Sequence, residues 1–472
     1  MKHLTWRISA SAALVVLTVA ALAAGSITFL HRQPAMAARP AHGVTQITDR
    51  AGAMLAEVRP PAGRADVRST GDAAFVRSVD QELVRLGFHP GDDRVIVTTT
   101  LDAGLQQLAQ QALADALQRE SFWDPGGHLG GALISIAPGT GQVEAMTGSP
   151  DWDDAPVDVG TSLEPFVYAK ALQDGKITMA TAIQDSGSLA IDQGQGRPAY
   201  TVRNFDLHSH GVLAARVAFA NGLSVPAARV ELAAGVPATV DFLRRLGMLP
   251  RAPNASGALS PGAPDTMYGP ALAFGGYPIT LLEEAGATAA LADLGGYHPP
   301  ETVLRVTDGA GHVLYQADPG RTARQVLDPG AAYIVAQALS DDSNRELIYG
   351  RGSPLHLAGR QAAAAAGTSV DFGSADAVGF TPDLATAVWL GDVSAPQRHL
   401  LGSDGVFVAA PAWNRFMSQA LANAPAARWY TPPADVVQQG GGSFLLGTPR
   451  IATPPLTGSA RACERGSHNP DL

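Results

Sequence analysis

Cysteine is nearly absent from this 472-residue sequence: Cys463 stands alone near the C-terminus. A single thiol excludes an intramolecular disulfide and any cysteine-cluster zinc or iron–sulfur site. Only His468 lies near it in sequence, so it reads as a free thiol in a tail. Charge is also scarce, at 16% of residues against 46% hydrophobic. A disordered chain needs the opposite balance, so that class is excluded. A basic excess is missing too, since 33 Lys+Arg against 43 Asp+Glu gives −10. Electrostatic nucleic-acid binders are basic, so no nucleic-acid partner is expected. No internal repeat is visible. Residues 405–413 hold no nucleotide fingerprint, and Gly440–Gly442 lacks the lysine of a phosphate loop. Glycine and proline are plentiful but scattered, which fits a turn-rich globular chain. Length alone allows about three domains.

Charge is absent from one long stretch, Ile8–Leu30, which follows Lys2, His3 and Arg7. A helix of about 20 apolar residues spans a bilayer core. The stretch is longer than the usual core of a secretory signal peptide, although Ala35-Met36-Ala37 fits a small-x-small cleavage site. Either reading exports the bulk of the chain. The expected organisation is a cytoplasmic stub and transmembrane anchor over 1–30 and a linker over 31–71. A lead-in segment over 72–128, one large domain over 129–424 and a flexible tail over 425–472 follow.

The apolar spacing predicts a helix through Phe75, Val79, Leu83 and Leu86, ended by Gly87. Val95–Thr99 is β-branched and reads as a strand. Asp102 can cap a helix whose face carries Leu105, Leu108, Ala112 and Ala116. Residues 131–147 and 302–316 read as hairpins, and 377–391 as two further strands. One helix is expected from about Ser162 to Asp174 and another from Pro237 to Gly247. The fold class is therefore α/β in the broad α+β sense. Its central sheet is mainly antiparallel and flanked by helices, with a helical subdomain beside it.

The run Val97-Thr-Thr-Thr-Leu-Asp102 followed by Leu105-Gln-Gln107 resembles the lead-in of class A penicillin-binding proteins. Residues 131–146 resemble the first hairpin of their transpeptidase domain, and Gly160–Ala169 resembles their nucleophile helix. Asn204-Phe205, His210-Gly211 and Val225-Pro226-Ala227 fall where that family has similar residues. Gly367-Thr368, 379–382, 388–391, Pro411-Ala-Trp413 and Phe416-Met417 extend the likeness over roughly 72–420 in order and spacing. The resemblance implies a β-lactamase-like transpeptidase fold in a protein of cell-wall (peptidoglycan) synthesis.

Two departures stand out. The family carries a glycosyltransferase domain between anchor and transpeptidase, and here the 31–71 stretch occupies that place. The family also shares Ser-x-x-Lys, Ser-x-Asn and Lys-Thr-Gly motifs. Its serine attacks a D-alanyl-D-alanine stem peptide to form an acyl-enzyme, and the lysine one turn on accepts the proton. In this chain those positions read Thr161 and Glu164, then Gly222 and Ser224, then Ala365, Ala366 and Gly367. Gly367 is the one motif residue retained, with Thr368 and Ser369 as the neighbouring candidates for substrate contact. The formal charge of the site falls from +2 to −1. An anionic substrate tail about 4 Å from a charged Glu164 would feel roughly 4 kcal/mol of repulsion at an effective dielectric of about 20. A buried Glu164 would instead protonate and cease to be a base.

Thr161 lacks an activating amine. Ser162 has Pro165 at the lysine spacing, and Lys170 lies about 12 Å further along a helix. Helix capping accounts for Thr161 and Ser162 more simply. His208-Ser209-His210 and the Asp151, Asp153, Asp154 cluster read as surface loops, so no metal and no cofactor are expected. Three function classes remain. The first is a membrane-anchored, single-pass, extracytoplasmic scaffold or regulator with a catalytically degenerate transpeptidase fold, partnered by active synthases or peptidoglycan. The second is an acyltransferase of altered chemistry using Thr161 or Ser162, with Glu164 as base. The third is a non-catalytic binder of stem peptides or β-lactams.

Overall fold

The structure is a computed structural model. It describes residues 43–461 apart from short stretches at 60–65, 68–72, 124–128, 150–151, 153, 193–199, 255, 370–371, 393–403, 427 and 449–459. The expected anchor at 1–30 and the Cys463 thiol lie outside the described residues. No helix among the described residues is long and apolar enough to cross a membrane.

Along the chain come strands β1 (Thr45–Thr48), β2 (Met54–Val58) and β3 (Asp66–Val67), then helix α1 (Ala73–Arg85), β4 (Val95–Thr99) and α2 (Ala103–Trp123). The hairpin β5 (Leu129–Ala137) and β6 (Gln142–Gly148) leads to a 3-10 turn at Gly160–Leu163 and helix α3 (Glu164–Gln173). Helices α4 (Ser224–Ala234) and α5 (Leu281–Ala292) precede the hairpin β7 (Val303–Asp308) and β8 (Val313–Gln316). Then follow α6 (Pro329–Ser340), the short α7 (Glu346–Tyr349) and strands β9 (Ala363–Thr368), β10 (Ser374–Phe380) and β11 (Ala385–Asp392). Helices α8 (Gly405–Val408) and α9 (Ala410–Ala420) complete this part.

The central sheet has five strands in the order β9-β10-β11-β5-β6, and every neighbouring pair is antiparallel. Both faces of it are covered, which explains its continuous apolar strands. Successive residues alternate across the sheet. Ile134, Ile136 and Phe380 therefore enter one core with α5, while Leu133, Ala366 and Leu390 enter another with α2 and α9. Trp413 and Phe416 from α9 are fully buried in that second core. Asp102 caps α2 as its position predicts, its Oδ1 accepting from Gly104 N and Leu105 N.

The start of α5 is fixed by a reciprocal cap. Thr280 Oγ1 accepts from Glu283 N at 3.2 Å, and Glu283 Oε2 accepts from Thr280 N at 3.0 Å. Arg251 clamps the same carboxylate through two nitrogens, at 3.0 and 3.1 Å. With Glu283 held outward in this way, the next residue, Glu284, turns into the core.

Two expected boundaries need correction. The 31–71 stretch supplies β1 and β2 to a six-stranded sheet, ordered β8-β7-β4-β1-β2-β3. Ile47, Leu55 and Val58 are buried there, and such short strands leave little periodicity amid Pro, Ala and Arg. The same sheet pairs β4 of the lead-in with β7 from the large domain. Nor is 425–448 a loose tail. Val436–Gln439 and Gly442–Leu445 form a hairpin. Tyr430 Oη donates to Ala292 O at 2.7 Å, and Asp435 accepts from Gly330 N. Isolated anchors such as Tyr430 hold a segment whose average composition looks loose.

Candidate functional site

The 3-10 turn at Gly160–Leu163 lies against β9 so closely that side chains are excluded. A Cβ at Gly367 would fall 2.1 Å from Val159 O and 2.7 Å from Ser162 N. At Gly160, with φ +61°, it would fall 2.3 Å from Thr368 O. Gly367 thus persists because it lets the turn seat on the strand, whatever substrate the strand binds.

That contact assembles most of the motif positions. Thr161 Oγ1 donates to Ala366 O at 3.1 Å. A Cβ built at Gly222 would stand 3.2 Å from Thr161 Oγ1 and 3.0 Å from Tyr349 Oη. Thr161, Gly222, Ala366 and Tyr349 therefore meet at one point. Asn221 helps to hold Tyr349 there, since its Nδ2 donates to Asn344 O and its Oδ1 accepts from Ile348 N. The Tyr349 ring also stacks on Phe205, with centroids 6.2 Å apart.

Glu164 opens α3 and is 1% exposed, with no hydrogen-bond partner on either carboxyl oxygen. Burial pushes its pKa well above the carboxylate range. Burial thus favours the protonated form of Glu164, which lessens the repulsion expected of a charged one and weakens it as a base. Burial, and then the nearby Glu164, also push the Tyr168 phenol up.

The capping role expected for Thr161 and Ser162 is not observed. The N-cap of α3 is Leu163, with no side-chain bond. Ser162 Oγ instead donates to Glu284 Oε1 at 2.6 Å and stands 2.8 Å from Val159 O. Glu284 is fully buried, and Asp376 on β10 is 1% exposed. Burial pushes both carboxyls up, and the neighbouring charge of Glu284 adds to the rise at Asp376. Two acids this close share protons rather than ionise together. Sequence reasoning missed this pair. A signal was present for Asp376, the one acid in a strand otherwise of small or apolar residues, while Glu284 is masked by the capping acid Glu283 beside it.

The other candidates are engaged in the fold. Lys170 is ion-paired with Asp174 one turn on, away from Thr161. Thr368 Oγ1 accepts from Gly405 N at 3.0 Å. Ser369 Oγ accepts from Gly373 N and Ser374 N at 2.9 Å each. Ser224 begins α4 and is buried, and Val225 N donates to Asn204 Oδ1. Ala365 lies in β9 opposite Val378. Arg345 is a cation behind the strand, 1% exposed, donating to Leu339 O and Ala364 O and paired with Asp342. His210 joins no metal cluster among the described residues, and its nitrogens contact Asp185 and Asp206. Asp154 accepts from Leu282 N, and burial raises its pKa to about 7. Asp151 and Asp153 lie outside the described residues.

No family model matches the chain. It is 29% identical to penicillin-binding protein 1A of Mycobacterium tuberculosis over 397 residues, covering 79% of this chain and 46% of that protein. The chain spans about half the length of the curated relatives it matches. Among solved structures it resembles the penicillin-binding protein PonA1 from Mycobacterium tuberculosis, with TM-score 0.63 and 26% identity. That match covers 83% of this chain and all of the solved one. A D,D-transpeptidase domain from Eggerthella lenta shares the fold at TM-score 0.60 and 20% identity, over 82% of this chain and 99% of that one. The resemblance read from the motifs is thereby shown: this chain carries the transpeptidase-type fold of the penicillin-binding proteins.

Proposed function

We propose that the protein is a membrane-anchored envelope protein of peptidoglycan synthesis that uses the transpeptidase fold for binding rather than catalysis. It would act as a scaffold or regulator, on peptidoglycan or on active synthases. One observation carries this reading. The hydroxyl at the nucleophile position, Thr161 Oγ1, is given to Ala366 O, and the residue one turn on is a buried acid, Glu164, in place of a basic amine. A hydroxyl nucleophile needs a base within reach, and this one faces a carbonyl. A fluorescent penicillin should leave the full chain unlabelled. Covalent labelling that disappears in Thr161→Ala would overturn the proposal.

A second reading, acyl transfer of altered chemistry, has one observation in its favour. Ser162 Oγ is 2.6 Å from Glu284 Oε1, the geometry of a hydroxyl and its base. Against it, Ser162 is fully buried and its bond points into the core. Labelling of Ser162 by a hydroxyl-directed activity probe, lost in Glu284→Gln, would establish this reading. Absence of labelling rejects it.

A further inference from the structure

Glu164 and Tyr168 lie one turn apart on α3, and so on one face. Tyr168, like Glu164, is buried and without a hydrogen-bond partner on its polar atom. Three buried oxygens from two side chains are thus unmatched, and the Glu164 carboxyl is near enough to act on the phenols of both Tyr168 and Tyr349. Unmatched buried oxygens are costly and call for a donor. The walls are aromatic: Tyr168 stacks on Phe219 at 4.5 Å, and Tyr349 stacks on Phe205.

The charges acting on Tyr349 are mostly of one sign. Besides Glu164, Asp404 and Asp206 act on Tyr349 from the residues before α8 and the loop beside Phe205. The cation acting on it is Arg345, which is buried and committed to Leu339 O, Ala364 O and Asp342. An anionic ligand would meet a carboxyl and find no uncommitted cation among these groups. A ligand with donors and positive charge would meet what it needs.

We propose that Glu164 and Tyr168, roofed by Tyr349, form a binding site for a primary ammonium group, such as the end of a lysine-like side chain. An ammonium has three donors and no acceptor, which matches three free oxygens. A guanidinium has five donors in a flat fork and would leave two unmet. The aromatic rings add cation–π attraction. Access requires the Tyr349 ring to swing aside. That ring sits on α7, a four-residue helix with no buried residue, followed by Gly350 at φ +67°. Arrival of the ammonium favours the Glu164 carboxylate, so any proton held on Glu164 passes to solvent as the amine binds.

The inference concerns what the pocket holds and does not rest on whether Thr161 acylates. Penicillin labelling reads Thr161, and the following titration reads Glu164, so either account can fail alone. The test is calorimetric titration of the full chain, in non-ionic detergent, with n-butylammonium chloride. Phosphate and MOPS buffers, which differ in heat of ionisation, count the protons released. The expected result is saturable binding accompanied by net proton release, as linkage requires of an acid with a raised pKa. Glu164→Gln should lose both the proton release and at least about tenfold in affinity, the scale of one charge-assisted contact. Tyr168→Phe, which preserves shape, should weaken binding by a smaller factor. Butyrate should give no saturable heat. Absence of butylammonium binding, equal affinity in both variants, or tighter binding of butyrate would each overturn the proposal.

Discussion

Ser162 Oγ and Glu284 Oε1 lie 2.6 Å apart inside the protein, and both residues are fully buried. The bond ties the turn that begins the motif helix to α5. Removing Ser162 alone leaves Glu284 with one donor fewer in a dry place. Ser162→Ala should therefore destabilise the fold by about 1–3 kcal/mol. Ser162→Ala combined with Glu284→Leu should cost less than the two single changes together, because no polar group is then stranded. Urea unfolding of the four proteins measures the difference, and strict additivity would contradict the coupling.

The buried acids give stability an unusual pH dependence. Burial raises the folded-state pKa of Glu164, Glu284 and Asp376, and raises Glu231 to about 8 and Glu301 to about 7. The groups facing Asp376 are Glu284 and Asp158, and those facing Glu164 are Tyr168 and Tyr349. Below the unfolded pKa, near 4.3, both states hold these protons and stability is unaffected. Above it the unfolded chain releases protons that the native state keeps, so stability falls as pH rises. The slope is about 1.4 kcal/mol per pH unit for each such group until its folded pKa is reached. The urea midpoint should be higher at pH 5 than at pH 8, and Glu284→Gln should flatten the slope. A midpoint that rises between those pH values would contradict this.

Gly367 is the retained motif residue, and its role is contact. Its Cβ would land 2.1 Å from Val159 O and 2.7 Å from Ser162 N, neither of which is a flexible side-chain end. Gly367→Ala should lower stability by about 3 kcal/mol, at the upper end of overpacking costs. A thermal melt reads this directly, and an unchanged melting temperature would show that the turn is not seated on β9.

Tyr349 stands beside Gly222, whose φ is +61°. Gly222→Ser should cost about 1–2 kcal/mol from the left-handed backbone alone and should also push the phenol away. Tyr349→Ala should admit solvent to Glu164 and Tyr168. The expected readout is a Glu164 carboxyl that titrates closer to the ordinary carboxylate range, seen by infrared difference spectroscopy. A carboxyl band that titrates no earlier than in the parent protein would show that Tyr349 does not roof the site.

Much of the fold was legible in the sequence, because its long elements carry period and punctuation. Asp102 capped its helix, Gly247 followed another, and the hairpins around 138–141 and 309–312 appear where turn residues interrupt β-branched runs. The short strands holding Ile47 and Leu55 were not legible, since four or five residues show no secure period and β4, the partner that joins β1 to the rest of the sheet, lies about 50 residues away. At the site, the motif positions Thr161, Gly222 and Ala366, which the resemblance picks out along the chain, lie together in the fold. Of the two alternatives stated for Glu164, burial favours the protonated one, and burial is not readable from spacing. The Ser162–Glu284–Asp376 group depends on three distant segments meeting, which spacing along one chain does not reveal. Tyr349 was invisible for the same reason, on a four-residue helix without an apolar stripe.

Intact-mass spectrometry of the full chain after incubation with benzylpenicillin tests the central claim most directly. A site with Thr161 turned to Ala366 O and a buried acid, Glu164, one turn on should leave the mass unchanged. A penicilloyl adduct mapped to Thr161 would contradict the account.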